Sequence, residues 1–420
     1  MKLESFHPRD RIAMLMSRIY GHRLTTTFGG NVSVLDESGD IWITPARVDK
    51  GSLTPRDIVR VRADGTVDGR YAPSSEYPLH RAIYDARPDL GCVLHAHPTS
   101  LVAFALAGRA PDSRLLAETW RRNGVVQVSP WAESGSDEQR ESVAGKFGDG
   151  AWSVVMARHG MVCAGKTADD AFARFDTLEF AARAELRARL LGDPIPLSPA
   201  ELAHERVRAA AAIAPLRRIP HTESLQEIEA REVICEFMER GLRHRLFMPS
   251  VGTVSARISP DAFLITPHPC DRPSLRPSDL VLVREGKAEE GRAPSRMTHL
   301  HEAIYLSHPG VGAVINASPL NTLAFSMCRR RIDIAALPEL RRPLPEVPMV
   351  PFDTLYLHPE KAVAGLDDEH PAFTICNNGA VVAGRDLFEA YDRLESLENA
   401  ADALIGSIAL AHGFNEGALR

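Results

Sequence analysis

Two histidines with one residue between them, His95 and His97 in GCVLHAHP, have the spacing of a shared ion. Side chains at i and i+2 of a strand point to the same face, so both imidazoles reach one point, whereas an adjacent pair would straddle the sheet. A third, His159, ends the later strand-like run WSVVMARH ahead of Gly160, a residue that permits a tight turn. Three imidazoles with no cysteine in the motif suit an open site, because catalytic zinc keeps three protein ligands and a free position, whereas closed structural sites take four. Glu76 precedes the helix-like run LHRAIY, in the sequence PSSE. A carboxylate beside such a metal can move a proton, while the metal polarises a carbonyl and holds the enediolate that forms. Ser74 and Ser75 stand at that helix start, where free N–H groups and the positive dipole end favour an anion. Each feature alone has an ordinary reading, as a strand histidine, a turn histidine or a solvated carboxylate. His80 is read as a packing residue.

The elements that must position these groups alternate between short β-rich runs and amphipathic helices. RIAMLMSRIYGHRL reads as a helix closing near Gly21, and NVSVL, IWITP, GCVLHAH and WSVVMARH read as strands. EYPLHRAIYDARP places Leu79, Ile83 and Ala86 on one helical face and ends before Pro88. DDAFARFDTLEFAARAELRARLL is a long helix. A sheet covered by helices is the natural layer solution.

The pattern occurs twice. GGNVSVL matches VGTVSARI, IWITPARVDKGSLTPRDIVRV matches FLITPHPCDRPSLRPSDLVLV, and RHGMVCAGKTADDAF matches NNGAVVAGRDLFEAY. APSSEYPLHRAIYDARPDLGCVLHAHP likewise matches APSRMTHLHEAIYLSHPGVGAVINASP. The offset stays near 222 residues at Thr44 and Thr266 and near 219 at Gly165 and Gly384. That steadiness marks a tandem duplication, with domains expected over 1–212 and 213–420 and the junction near 205–222. In the second copy His95, His97, His159 and Glu76 fall on Asn316, Ser318, Asn378 and Met297. One metal centre per chain is therefore expected, in the first copy.

A chain of 420 residues is long enough for two domains, each with its own core. Hydrophobic content of 44% and charged content of 25% are those of a soluble globular protein. A net charge of -6 gives no attraction to nucleic acid or anionic membranes. No run is long and apolar enough to span a bilayer, and the N-terminus carries charges where a signal peptide needs an apolar stretch. Six scattered cysteines with no C-x-x-C pair read as reduced core residues of a cytoplasmic protein.

In combination and order, GNVSV, ITP-x-x-VDKGSLTPRD, PSSE, HAHP and RHG followed by AGK resemble the class II aldolase and adducin-head family across nearly all of both halves. The resemblance implies an α/β fold: two tandem α/β/α three-layer sandwiches with a mainly antiparallel central sheet. It implies a divalent metal, usually zinc, with manganese, iron or cobalt as alternatives, on His95, His97 and His159. It implies an acid/base role for Glu76 and an anion pocket from Gly30, Asn31, Ser74 and Ser75. This chain departs from the family's ITPSG by reading ITPAR. Arg47 brings a permanently charged planar fork that suits carboxylate or phosphate, so the expected substrate is a small anion of either kind.

The leading expectation is a lyase that cleaves a C–C bond of a hydroxy-ketone or sugar-phosphate-like substrate by retro-aldol chemistry. Decarboxylation and epimerisation would use the same site. The competing expectation is a non-enzymatic assembly protein of adducin type. Many members of the family are four-fold rings, so self-association of tandem chains that imitates such a ring is expected, with the second domain supplying a wall to the first domain's site.

Overall fold

A computed structural model describes residues 3–208, 213–216, 223–248, 251–268, 270–367 and 370–411. The expected boundary at 212/213 touches a residue outside that set. Spatial clustering divides the chain into two compact units, Met1–Arg114 with Glu118–Arg183, and Leu115–Ala117 with Ala184–Arg420.

The first unit is built on strands β1 (Asn31–Leu35), β2 (Ile41–Ile43), β3 (Val59–Val61), β4 (Val67–Asp68), β5 (Cys92–Ala96), β6 (Gln127–Ser129), β7 (Ser153–Met156) and β8 (Gly160–Gly165). They form one sheet in the order β4-β3-β2-β1-β5-β8-β7-β6, parallel only between β6 and β7. The first six helices of the chain are α1 (Pro8–Gly21), α2 (Tyr77–Ala86), α3 (Thr99–Leu106), α4 (Ala117–Asn123), α5 (Asp137–Gly148) and α6 (Ala168–Leu191). Helix α1 starts with Pro8 in its first turn, capped by the His7 ring, and buries Ile12, Leu15, Met16 and Ile19 at helical spacing.

One core cluster joins Leu79, Ile83 and Tyr84 of α2 and Val143, Ala144 and Phe147 of α5 to inward residues of β2, β3, β5, β7 and β8. Val93 and Ala164 belong to that cluster and pair across β5 and β8. Since strand residues alternate faces, the face under α2 also carries Ser33, paired with Val93, and Asn31, paired with His95. Sheet register thus aims the first histidine toward the start of α2.

The second unit repeats this plan with β9 (Ala214–Leu216), β10 (Thr253–Ser259), β11 (Ala262–Ile265), β12 (Val281–Arg284), β13 (Lys287–Glu289), β14 (Ala313–Ala317), β15 (Met349–Val350), β16 (Ala372–Ile375) and β17 (Gly379–Gly384). Its order is β15-β16-β17-β14-β10-β11-β12-β13-β9. The outermost pairs, β13 with β9 and β15 with β16, are parallel and the others antiparallel. Its helices are α7 (Pro199–Arg208), α8 (Leu225–Arg243), α9 (Thr298–Ser307), α10 (Leu320–Met327), α11 (Thr354–Leu357), α12 (Pro359–Val363) and α13 (Leu387–Ala411). The α/β class, the tandem duplication and the mainly antiparallel sheets are as the sequence suggests. No described helix is long and apolar enough to cross a membrane, and all six cysteines are free.

Candidate metal centre

His95 is fully buried and its Nδ1 lies 2.8 Å from the carbonyl oxygen of Met161 on β8. A carbonyl only accepts, so Nδ1 carries the ring hydrogen and Nε2 presents a lone pair. That Nε2 is buried without a hydrogen-bond partner and lies 3.3 Å from Glu76 Oε2. A lone pair facing a carboxylate oxygen is a meeting of two acceptors, which a cation between or beside them satisfies.

The other imidazoles converge on the same point. His97 stands just past the end of β5, and its ring centroid is 4.5 Å from that of His95 and 5.1 Å from that of His159. One ring nitrogen from each of the three lies within 4.8 Å of the others, and no second group of this kind occurs among the described residues. Burial, then the neighbouring imidazoles, push His97 down to about 3, and the same causes lower His159. Both rings are thereby neutral near pH 7, the form that ligates a metal. These donors fit a divalent cation.

His159 reaches the centre differently from the sequence expectation. Strand β7 stops at Met156, and His159 occupies the turn into β8, where Arg158 takes the left-handed conformation at φ +60°. Gly160 is needed for room: a Cβ there would lie 2.6 Å from His97 Cδ2 and 2.8 Å from the Ala96 carbonyl oxygen. The Gln139 amide nitrogen on α5 lies 3.0 Å from His159 Nδ1, and Gly135 N–H holds the other end of that amide. No sequence motif singles out Gln139.

Glu76 caps α2 without using its side chain as the cap. The carboxylate turns back to the histidines, with Oε2 2.5 Å from Asn31 Nδ2 and Oε1 3.8 Å from His159 Nε2. Burial acts to raise its pKa, but with the imidazoles charged, as they become in acid, His95, then the Asn31 amide, His159 and His80 outweigh burial and hold the carboxyl at about 2. His80 is hydrogen-bonded to Ser33 Oγ at 2.7 Å and Asn31 Oδ1 at 2.5 Å.

The residues expected to hold an anion lie on segments that adjoin His95 or the turn before Glu76. Ser74 N–H bonds the Thr44 carbonyl, and an isolated bridge joins Pro45 to Pro73, so the loop of Arg47 runs beside the Ser74–Glu76 turn. The first-turn N–H groups of α2 are already engaged: Glu76 N bonds Ser74 Oγ, Tyr77 N bonds Ser74 O, and Leu79 N and His80 N bond Glu76 O. The hydroxyl and N–H of exposed Ser75 have no partner among the described residues. Gly30 is left-handed at φ +71°, and a Cβ there would lie 2.8 Å from the His95 carbonyl oxygen. Arg47 is exposed, has no hydrogen bond or ion pair among the described residues, and is also left-handed at φ +56°. That conformation strains a residue with a Cβ and is at home on glycine.

The second unit preserves the frame and loses the ligands. Asn316 pairs with Thr253 as His95 pairs with Asn31, and its amide donates to the Ala380 carbonyl as His95 does to that of Met161. Ser318 Oγ donates to the Asn378 carbonyl. Met297 takes the helix-start position of Glu76.

The family described as Class II Aldolase and Adducin N-terminal domain matches this chain at residues 10–186 and again at 232–405. The 5-methylthioribulose-1-phosphate/5-deoxyribulose-1-phosphate aldolase of Rhodospirillum rubrum is 31% identical over 167 residues, 38% of this chain and 74% of that protein. An L-fuculose phosphate aldolase of Methanocaldococcus jannaschii is 31% identical over 182 residues, 42% of this chain and 95% of its own length. A methylthioribulose-1-phosphate dehydratase of Klebsiella pneumoniae is 27% identical over 173 residues, 38% of this chain and 86% of that enzyme.

Proposed function

We propose, from the premise that this chain belongs to the class II aldolase and adducin family, that its first unit is a metal-dependent lyase cleaving a C–C bond of a small anionic hydroxy-ketone by retro-aldol chemistry. The observation that carries this reading is the His95 Nε2 lone pair set against the Glu76 carboxylate, with His97 and His159 converging beside it. His95, His97 and His159 would hold the ion, zinc first, with manganese, iron or cobalt as alternatives. When bound, a divalent cation supplies a Lewis acid for a substrate carbonyl.

The chain's own residues do the rest. Glu76, ionised and next to the histidines, takes a proton from the substrate hydroxyl as the C–C bond breaks, and returns it to the carbon fragment left behind. Arg47 and Ser75, with Ser74 and Gly30 around them, hold the anionic end of the substrate. The relatives named above are an aldolase for ribulose phosphates, an aldolase for fuculose phosphate and a dehydratase, which supports a phosphorylated ketose as the first class to try.

A second reading, decarboxylation or epimerisation of a carboxylated sugar, is favoured by one observation. Arg47 stands in a strained conformation with its guanidinium unpaired, and a planar fork matches a carboxylate. The test is metal analysis with turnover of ketose phosphates and hydroxy-keto acids by wild type and Arg47→Ala. About one equivalent of metal per chain with turnover of a ketose phosphate supports the lyase, and absence of metal under every loading condition overturns it in favour of an assembly role. Self-association of tandem chains is proposed with it, and light scattering reads that directly.

A further inference from the structure

Asn31 and His80 are both buried, and neither is needed to ligate the ion. The Asn31 amide bridges two groups, with Oδ1 2.5 Å from His80 Nε2 and Nδ2 2.5 Å from Glu76 Oε2. Behind His80, Ser33 Oγ is 2.7 Å from Nδ1, and Tyr84 OH is 2.8 Å from Ser33 Oγ.

The carboxylate end dictates the hydrogen positions from Asn31 to Ser33. An ionised carboxylate only accepts, so Asn31 turns its NH2 group toward Glu76. The amide oxygen then faces His80, and since it too only accepts, Nε2 carries the hydrogen. Burial lowers the His80 pKa to about 3, against the opposing pull of Glu76, so the ring is neutral with one hydrogen. Nδ1 is therefore an acceptor and Ser33 donates to it, while the Tyr84 hydroxyl shares its hydrogen between Ser33 Oγ at 2.8 Å and the Ser33 carbonyl oxygen at 3.1 Å. A chain of hydroxyls could reverse its direction by rotation of O–H bonds, but an amide reverses only by turning over. That would set its oxygen against the carboxylate.

We propose that His80 is a positioning residue for proton transfer. Its Nε2–H fixes the Asn31 amide so that Nδ2 is committed to Glu76 Oε2, which leaves Oε1 as the oxygen that meets the substrate. This rests on the acid/base role given to Glu76.

The second unit is the control inside the same chain. Ser255 Oγ lies 2.7 Å from His301 Nδ1 and 2.7 Å from Tyr305 OH, so the Tyr–Ser–His part persists. Thr253 stands in place of Asn31 and bonds Ser295 at 2.6 Å, and Met297 stands in place of Glu76. His301 Nε2 is then buried with no hydrogen-bond partner. The Tyr–Ser–His part ties the helix to the strand in both units, whereas the Asn–Glu part occurs where the metal ligands occur.

The experiment uses the zinc-loaded full chain with His80→Leu, His80→Gln and His301→Leu, and 5-deoxyribulose 1-phosphate as the probe substrate. His80→Leu is expected to lower kcat about 10–100-fold, with zinc content kept and KM moving less than about threefold. His80→Gln, which retains an N–H donor, recovers most of the loss, and His301→Leu leaves kcat unchanged. The side-chain amide signal of Asn31 in 15N-asparagine-labelled protein reads the lock without turnover and is expected to shift in His80→Leu. An unmoved Asn31 signal, or a loss that appears only in KM or zinc content, overturns the proposal. If His80→Leu does not fold, Ser33→Ala carries the same test, since it removes the donor behind Nδ1: a fall in kcat alone supports the lock, and unchanged kcat overturns it. Should Glu76→Gln turn over like wild type, the acid/base reading fails by itself, while the Asn31 signal still decides the lock.

Discussion

Nε2 of His95 lies 3.3 Å from Oε2 of Glu76, and neither atom brings a hydrogen to that contact. Two acceptors held together in a buried site are a source of instability unless a cation joins them. Removing bound metal is therefore expected to lower stability as well as activity. With metal at 100 times its dissociation constant the stabilisation is about 2.7 kcal/mol. Thermal melts with and without a chelator measure it, and a melting point indifferent to zinc would refute the site.

The ligand assignment separates the two units. His97→Ala is expected to abolish stoichiometric metal binding and turnover, while Ser318→Ala at the matching position leaves both as they were. Metal analysis on the two purified variants decides this, and loss of metal from Ser318→Ala would show that the second unit also ligates.

Glu76→Gln is expected to retain metal and fold, since the amide occupies the same space, and to lose roughly 10²–10⁴-fold in kcat. Single-turnover rates with the metal-loaded variant test it.

Arg47 gives a prediction with two opposed signs. Arg47→Gly releases a left-handed residue with φ +56° and is expected to stabilise the fold by about 1 kcal/mol. It removes the unpaired guanidinium at the same time, so KM for an anionic substrate rises. A stability gain with unchanged KM would detach Arg47 from substrate binding.

Acid sensitivity follows from His301, which burial holds down at about 3. Between its unfolded value near 6.5 and that folded value, the unfolded chain binds a proton that the native chain does not. Stability therefore falls as pH drops through this window and is fully present above it. His301→Leu is expected to flatten stability against pH between about 6 and 4, measured by denaturant titration. An unchanged slope would mean that His301 is charged in the native protein.

The meeting of His95, His97, His159 and Glu76 was legible in the sequence because these residues lie in local motifs. His95 and His97 are two apart, Glu76 opens a helix, and the repeat shows what the same scaffold looks like without them. What escaped was set by partners far along the chain. The Met161 carbonyl that selects the free nitrogen of His95 is 66 residues away, and Gln139 touches His159 from a separate helix. Asn31 was expected at the anion pocket, yet its amide is taken up by His80 and Glu76, because the β1–β5 register buries it beside His95. The turn before β8 was expected to depend on Gly160 for its backbone angles. Arg158 supplies the left-handed residue instead, and Gly160 clears space for His97.

Asn316 donates to the Ala380 carbonyl just as His95 donates to that of Met161. The inner half of that histidine is thus a structural tether that an amide can replace, and only its outer half is free for the proposed metal chemistry. In a duplicated chain this division makes loss of a reactive centre inexpensive: one copy can drift to asparagine and serine while its sheet stays tethered. The same division makes the drift reversible in principle, and the second unit is a ready scaffold on which a new centre of chosen ligands can be installed.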